Sequence, residues 1–198
     1  MGHLERKQRE KDNIRKRILE AALNIAIEEN WQAVTIRRIA DAVEYTTSIV
    51  YSHFKNKDAL LLELADTGFK KLKKQLEKVI ETESDPKEQL MQLSVYHWDF
   101  ASENRELYDL MFNTDQIIKD HDIDKATGRQ AKLGKEMLFD LFANITGNKD
   151  VEMIGLNWIC LRRGSINLLI DIDKQRFNFD PKEAYIEFIQ RFITSIAK

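Results

Sequence analysis

Glycine occurs seven times and proline twice in 198 residues, while charged side chains make up 32% and hydrophobic ones 43%. A chain so poor in the two residues that interrupt helices, and so rich in charged and aliphatic ones, is expected to be all-α. The apolar spacing agrees. Ile14, Ile18, Ala21, Ala22 and Ile25 fall three and four apart, which predicts a first helix from about Lys11 to Glu29. Asn30 is placed as its left-handed end, with Trp31 packing back. Thr35 suits the N-cap of a second helix, whose Ile36, Ile39, Ala40 and Val43 turn inward. A third runs from Thr46 to His53, with Val50 and Phe54 inward. Asn56 caps a fourth that reaches about Ile80. The next, near Lys87–Ser102, is apolar on almost every side and is therefore expected to be buried all round. Further helices are expected near Arg105–Phe112, Lys125–Ile145, Val151–Ile172 and Pro181–Ala197. The stretch Asn113–Asp124 is ambiguous, and the sequence shows no strand pattern or repeat.

No apolar run approaches the ~18 residues that a membrane span needs, and Met1–Arg17 is basic rather than signal-like. Cys160 is the one cysteine, which excludes an internal disulfide and suits a reducing cytoplasm. Charge is uneven: Met1–Lys57 holds 11 basic against 8 acidic residues, the remainder 20 against 25. A basic front on an acidic body suits a nucleic-acid module joined to a different domain. The boundaries expected are 1–57 for the first and 58–198 for the second.

Two short helices joined by a few residues form a helix-turn-helix, here spanning about 35–54, whose second helix enters the major groove of double-stranded DNA. That helix opens on three hydroxyls, Thr46, Thr47 and Ser48. Such short side chains let backbone approach DNA closely and hydrogen-bond to phosphates or base edges. Tyr51 lies one turn on, and Lys57 opens the fourth helix; both suit phosphate contacts. Thr46 serves equally as a plain N-cap. The segments "RILEAAL" (Arg17–Leu23), "TIRRIADAV" (Thr35–Val43), "VYSHF" (Val50–Phe54) and "NKDALL" (Asn56–Leu61) make the region from Ile14 to about Leu64 similar to the DNA-binding domain of TetR-family transcriptional regulators. The resemblance implies an N-terminal three-helix DNA-binding domain and a larger helical ligand-binding and dimerisation domain. It further implies a homodimer, a palindromic operator and release by a small molecule, as in a repressor. Thr35, Arg37 and His53 join the candidate DNA contacts on that basis. Two positions depart from the family. Glu44 stands where the inter-helix turn usually has glycine, and Ile49 where a small or polar residue is usual. The lead-in "ERKQREKDNIRKR" resembles a short DNA-binding arm and reads equally well as a solvated tail.

Beyond the first domain, His97 is a polar group on the stripe of Leu90, Leu93 and Ala101. With Trp98, Phe100, Tyr108, Met111 and Phe112 it makes the candidate lining for a small-molecule effector, since such pockets are mostly apolar with a few placed polar groups. Ordinary core is the competing reading for each residue taken singly. The helix from Val151 carries two apolar stripes: Val151, Ile154, Trp158, Leu161, Ser165, Leu168 and Ile172, then Leu156, Ile159, Arg163, Ile166 and Ile170. The last helix does likewise, through Tyr185, Phe188 and Phe192 and through Ile186, Ile189 and Ile193. So much apolar surface suits a four-helix dimer interface, assigned to Ile154, Trp158, Leu161, Ser165, Leu168, Tyr185, Phe188 and Phe192. No glycine-rich phosphate loop or paired-histidine zinc motif is present, so neither an enzyme nor a cofactor is expected. Cys160 and His97 are the one nucleophile and base to consider, and His121, Asp122 and Asp124 the one group suited to a hard ion.

Overall fold

The computed structural model describes residues 2–112, 128–147, 150–172 and 178–197. His121, Asp122 and Asp124 lie outside them, as does the stretch left ambiguous above. The described elements are helices: α1 (His3–Glu28), α2 (Ile36–Ala42), α3 (Thr47–His53), α4 (Lys57–Thr82), α5 (Pro86–Glu103), α6 (Arg105–Phe112), α7 (Gly128–Thr146), α8 (Val151–Leu169) and α9 (Pro181–Ile196). No described helix is long and apolar enough to cross a membrane.

Helix starts are written locally. Asp85 and Asp180 each precede a proline, and each carboxylate accepts from backbone N–H groups of the first turn, Lys87 in α5, Lys182 and Glu183 in α9. An acidic N-cap before a proline satisfies free donors where proline has none to lose. Thr35 and Asn56 cap α2 and α4 through N–H bonds from Arg38 and Ala59. Gly147, at φ 68°, follows the end of α7 in the left-handed region.

Two expectations fail at α1. The helix begins at His3, about two turns early, so the basic lead-in is helix rather than loose tail. Its residues are good helix formers joined by pairs such as Gln8 to Asp12, at 2.8 Å. An apolar stripe is absent there because that stretch is solvent-exposed. Asn30 is not left-handed: its side-chain oxygen accepts from the Ala33 N–H at 2.9 Å, and Glu44 and Asp150 are the non-glycine residues with positive φ among those described.

The chain forms two compact units, Met1–Thr67 with Glu106–Gly128, and Gly68–Arg105 with Arg129–Lys198. This division differs from the expected break at residue 57: α4 begins at Lys57 and runs without interruption through Thr67 and Gly68, where the units divide. In the first unit, Ile18, Ala22, Trp31, Val34, Ile39, Val50, Phe54, Leu60 and Leu61 form the core. The indole N–H of Trp31 donates to the Glu106 carbonyl at 3.1 Å, which ties the start of α6 into this unit. In the second unit α5 packs against α8 and α9, and α8 against α9. Ser94 of α5 joins all three: its hydroxyl accepts from Trp158 Nε1 at 3.1 Å and its carbonyl from the Tyr185 hydroxyl at 2.9 Å.

Candidate nucleic-acid interface

In α3, Val50 and the following Phe54 are buried while Thr46, Thr47, Ser48 and Tyr51 are exposed. The helix therefore anchors by one side and presents its hydroxyls on the other. Thr46 is the N-cap residue, yet its side chain makes no capping bond, so all three hydroxyls remain outward. Tyr51 is 55% exposed. Thr35 and Arg37 are exposed on α2, while Arg38 forms an ion pair with Glu29. Ile49 is half-buried. The structure thus brings Thr46, Thr47, Ser48 and Tyr51 together on one short helix, with Thr35 and Arg37 on the helix packed against it.

Lys57 is placed differently from the expectation. It is half-buried and its ammonium donates to the Trp31 carbonyl at 3.1 Å, with its pKa lowered by burial. One of its hydrogen bonds is thus made inside the unit, which lowers its weight as a phosphate contact. Lys55, just after Phe54, is exposed; sequence reasoning passed over it because it belongs to no helix face. His53 is half-buried, and its pKa is lowered by burial first and then by Arg15 and Lys11.

The turn between α2 and α3 is closed by Glu44 at φ 60°. Its N–H bonds to the Asp41 carbonyl at 3.2 Å and that of Tyr45 to the Ala40 carbonyl at 2.9 Å. This is the Schellman arrangement, whose left-handed residue is usually glycine. Arg17 of α1 braces it: the guanidinium donates to the Val43 carbonyl and the Tyr45 hydroxyl, both at 3.2 Å, and lies over the Tyr45 ring.

The candidate effector residues divide between the units. His97, Trp98 and Phe100 are buried in the second; Tyr108 and Met111 are buried and Phe112 half-buried in the first, where the Tyr108 and Phe112 rings lie 4.8 Å apart, tilted by 50°. His97 Nδ1 lies 2.7 Å from the Leu93 carbonyl. Because a carbonyl only accepts, the proton is on Nδ1, and Nε2 of the neutral ring holds a lone pair. Burial, and then the Arg162 cation, keep the pKa of His97 well below its usual value. The ring meets Trp158 edge-on at 5.6 Å, and Trp98 lies 5.1 Å from the Tyr185 ring. Cys160 is exposed, whereas the buried His97 ring is engaged with Leu93 and Trp158.

The dimer-face assignment needs correction. Trp158, Ser165 and Tyr185 are 1%, 9% and 0% exposed, so they belong to the core of their own unit. Two apolar stripes on one helix do not say which side faces inward, and each stripe mixes the two: Trp158 and Ser165 are buried where Leu168 is exposed, and Ile166 is buried where Leu156 is exposed. Ile154, Leu161 and Phe192 are half-buried. On these two helices the large exposed apolar residues are Met153, Leu156 and Leu168 of α8 and Phe188 of α9, with Leu168 at 69%.

Residues 18–64 match the family model described as bacterial regulatory proteins, tetR family. Among solved structures, the chain is similar to the transcriptional regulator FadR from Bacillus subtilis, solved in complex with stearoyl-CoA. The identity is 14% and the TM-score 0.71, with 91% of this chain and 98% of that one covered. It is similar also to the fatty acid degradation regulator FadR from Bacillus halodurans, at 14% identity and TM-score 0.73, covering 90% and 94%. A TetR family transcriptional regulator, PfmR from Thermus thermophilus, matches at 20% identity and TM-score 0.67 over 89% and 94%. At these identities the likeness establishes the all-α fold.

Proposed function

We infer, because residues 18–64 make this chain a member of the tetR family of bacterial regulatory proteins, that it works as a ligand-responsive repressor of transcription. It binds a palindromic operator as a homodimer, in the cytoplasm, and a small molecule releases it. The observation that carries this reading is the row Thr46, Thr47 and Ser48, exposed on the second helix of a helix-turn-helix whose other side is anchored by Val50 and Phe54. The exposed apolar residues of α8 and α9 support a second copy as the dimer partner, and Cys160, exposed on α8, offers a handle there. The stearoyl-CoA held by one structural neighbour supports an effector that joins an apolar part to a polar group. Trp98 and Phe100 are the apolar candidates for its site, and the Nε2 lone pair of His97 the polar one.

Selection of bound sequences from random duplex DNA tests the reading. It should return two inverted half-sites about one helical turn apart, roughly 34–36 Å, and affinity for them should fall steeply with salt. A second reading, a helical ligand-binding protein with weakened DNA affinity, is favoured by the carboxylate of Glu44 in the turn. No enriched sequence, or binding indifferent to salt, would decide for it.

A further inference from the structure

Arg15 of α1 makes a junction that packing alone does not require. Its Nη1 donates to the His53 carbonyl, in the last turn of α3, at 2.6 Å. Its Nε donates to Glu63 Oε1 of α4 at 2.6 Å, and Nη2 donates to Glu63 Oε2. The guanidinium lies 4.2 Å from the centroid of the Phe54 ring. One planar group thus fastens the final carbonyl of α3, the aromatic residue that ends it and the second turn of α4. The last carbonyls of a helix have no partner within it and welcome a cation. The fork shape of guanidinium lets it serve carboxylate and carbonyl together, which an ammonium does not do.

The N-terminal hydroxyls of α3 lie at the opposite end of the same seven-residue helix. Holding its C-terminal end fixes the direction in which those hydroxyls point. We propose that Arg15 and Glu63 are positioning residues that set the angle at which α3 meets base edges, and so control sequence specificity rather than overall DNA affinity. The proposal rests on the DNA-binding reading above. It makes a counter-intuitive demand of Glu63. A carboxylate on a DNA-binding unit ordinarily opposes binding, so removing it should strengthen attachment to any duplex. If Glu63 orients Arg15, removing it should instead cost discrimination.

The experiment measures affinity of the full chain for the operator selected by the parent and for an unrelated duplex, each at two salt concentrations. Parent, Glu63→Gln, Arg15→Gln and Arg15→Lys are compared, with helical content checked for each. Partial loss of folded protein lowers both affinities by the same factor, so their ratio reports orientation alone. In Glu63→Gln and Arg15→Gln the ratio should fall by about tenfold or more, a loss typical of one misread base pair, while the salt slope stays near the parent value. Arg15→Lys should not restore the ratio, because it keeps the charge and loses the fork. An unchanged ratio in Glu63→Gln, or full rescue by lysine, overturns the proposal. So does an Arg15→Gln variant that loses both affinities equally with a slope lower by about one, which would make Arg15 a phosphate contact. Should Arg15→Gln fail to fold, Glu63→Gln carries the test. A parent that selects no sequence removes the regulatory reading itself, a distinct outcome.

Discussion

Glu44 is the residue at which sequence and backbone disagree. It sits at φ 60°, a region that side chains with a Cβ enter at a cost of order 1–3 kcal/mol. Glycine recovers most of that and gives back part in unfolded-chain entropy. Glu44→Gly should therefore stabilise the protein by about 1 kcal/mol in denaturant unfolding, and an unchanged or lowered midpoint would show the turn to be unstrained. His97 makes a second prediction. Its pKa lies well below the usual value, through burial and then Arg162, so the unfolded chain binds a proton at a higher pH than the folded one does. Stability from this group is complete above about pH 6.5 and is lost as pH falls from there toward the folded pKa, by at most about 1.4 kcal/mol per pH unit. His53, also depressed, adds in the same direction. Urea unfolding at pH 7.5 and 5.0 should show the loss, and His97→Gln should flatten it. A variant as acid-sensitive as the parent would clear His97.

At the scale of elements, what could be read from the sequence was periodicity and punctuation. The expected start of α5 lies within a residue of the observed one, and those of α8 and α9 coincide with it; in the structure Asp85 and Asp180 cap before prolines, and Val151 opens an apolar stripe. Two things escaped. The first turns of α1 have no apolar face, so no spacing could announce them. The inward side of α8 is chosen by partners distant in the chain, above all Ser94 beneath Trp158, and no local pattern holds that information. The same distance hid Arg15 and Glu63, 48 positions apart. The two faces of α8 now predict opposite behaviour. Trp158→Ala should destabilise the unit by about 3–5 kcal/mol through the cavity it leaves. Leu168→Asp, on the exposed face, should leave the unfolding of the chain nearly unchanged. Equal losses in both would mean that α8 is enclosed on all sides.

For the whole molecule, α4 carries one continuous helix across the division at Thr67 and Gly68. A helix without a break gives composition nothing to mark, which is why the sequence placed the boundary at Lys57. Function at this scale depends on number as well as shape. If the exposed residues of α8 and α9 pair two copies, the recognition helices of both reach one operator together. The second half-site is then met at an effective concentration of roughly millimolar, and the pair binds about 10²–10⁴ times more tightly than either copy alone. Leu168→Asp would place two carboxylates in that apolar contact, a desolvation cost with no partner charge to offset it. The variant should sediment as a monomer, with its α3 surface intact. Its affinity for an isolated half-site should equal the parent's, while its affinity for the full operator should fall by about 10²–10⁴, with a salt slope near half. Sedimentation and titration on both duplexes check this together. A variant that stays dimeric would move the interface off α8, and a monomer that still binds the full operator like the parent would show that pairing contributes nothing to recognition.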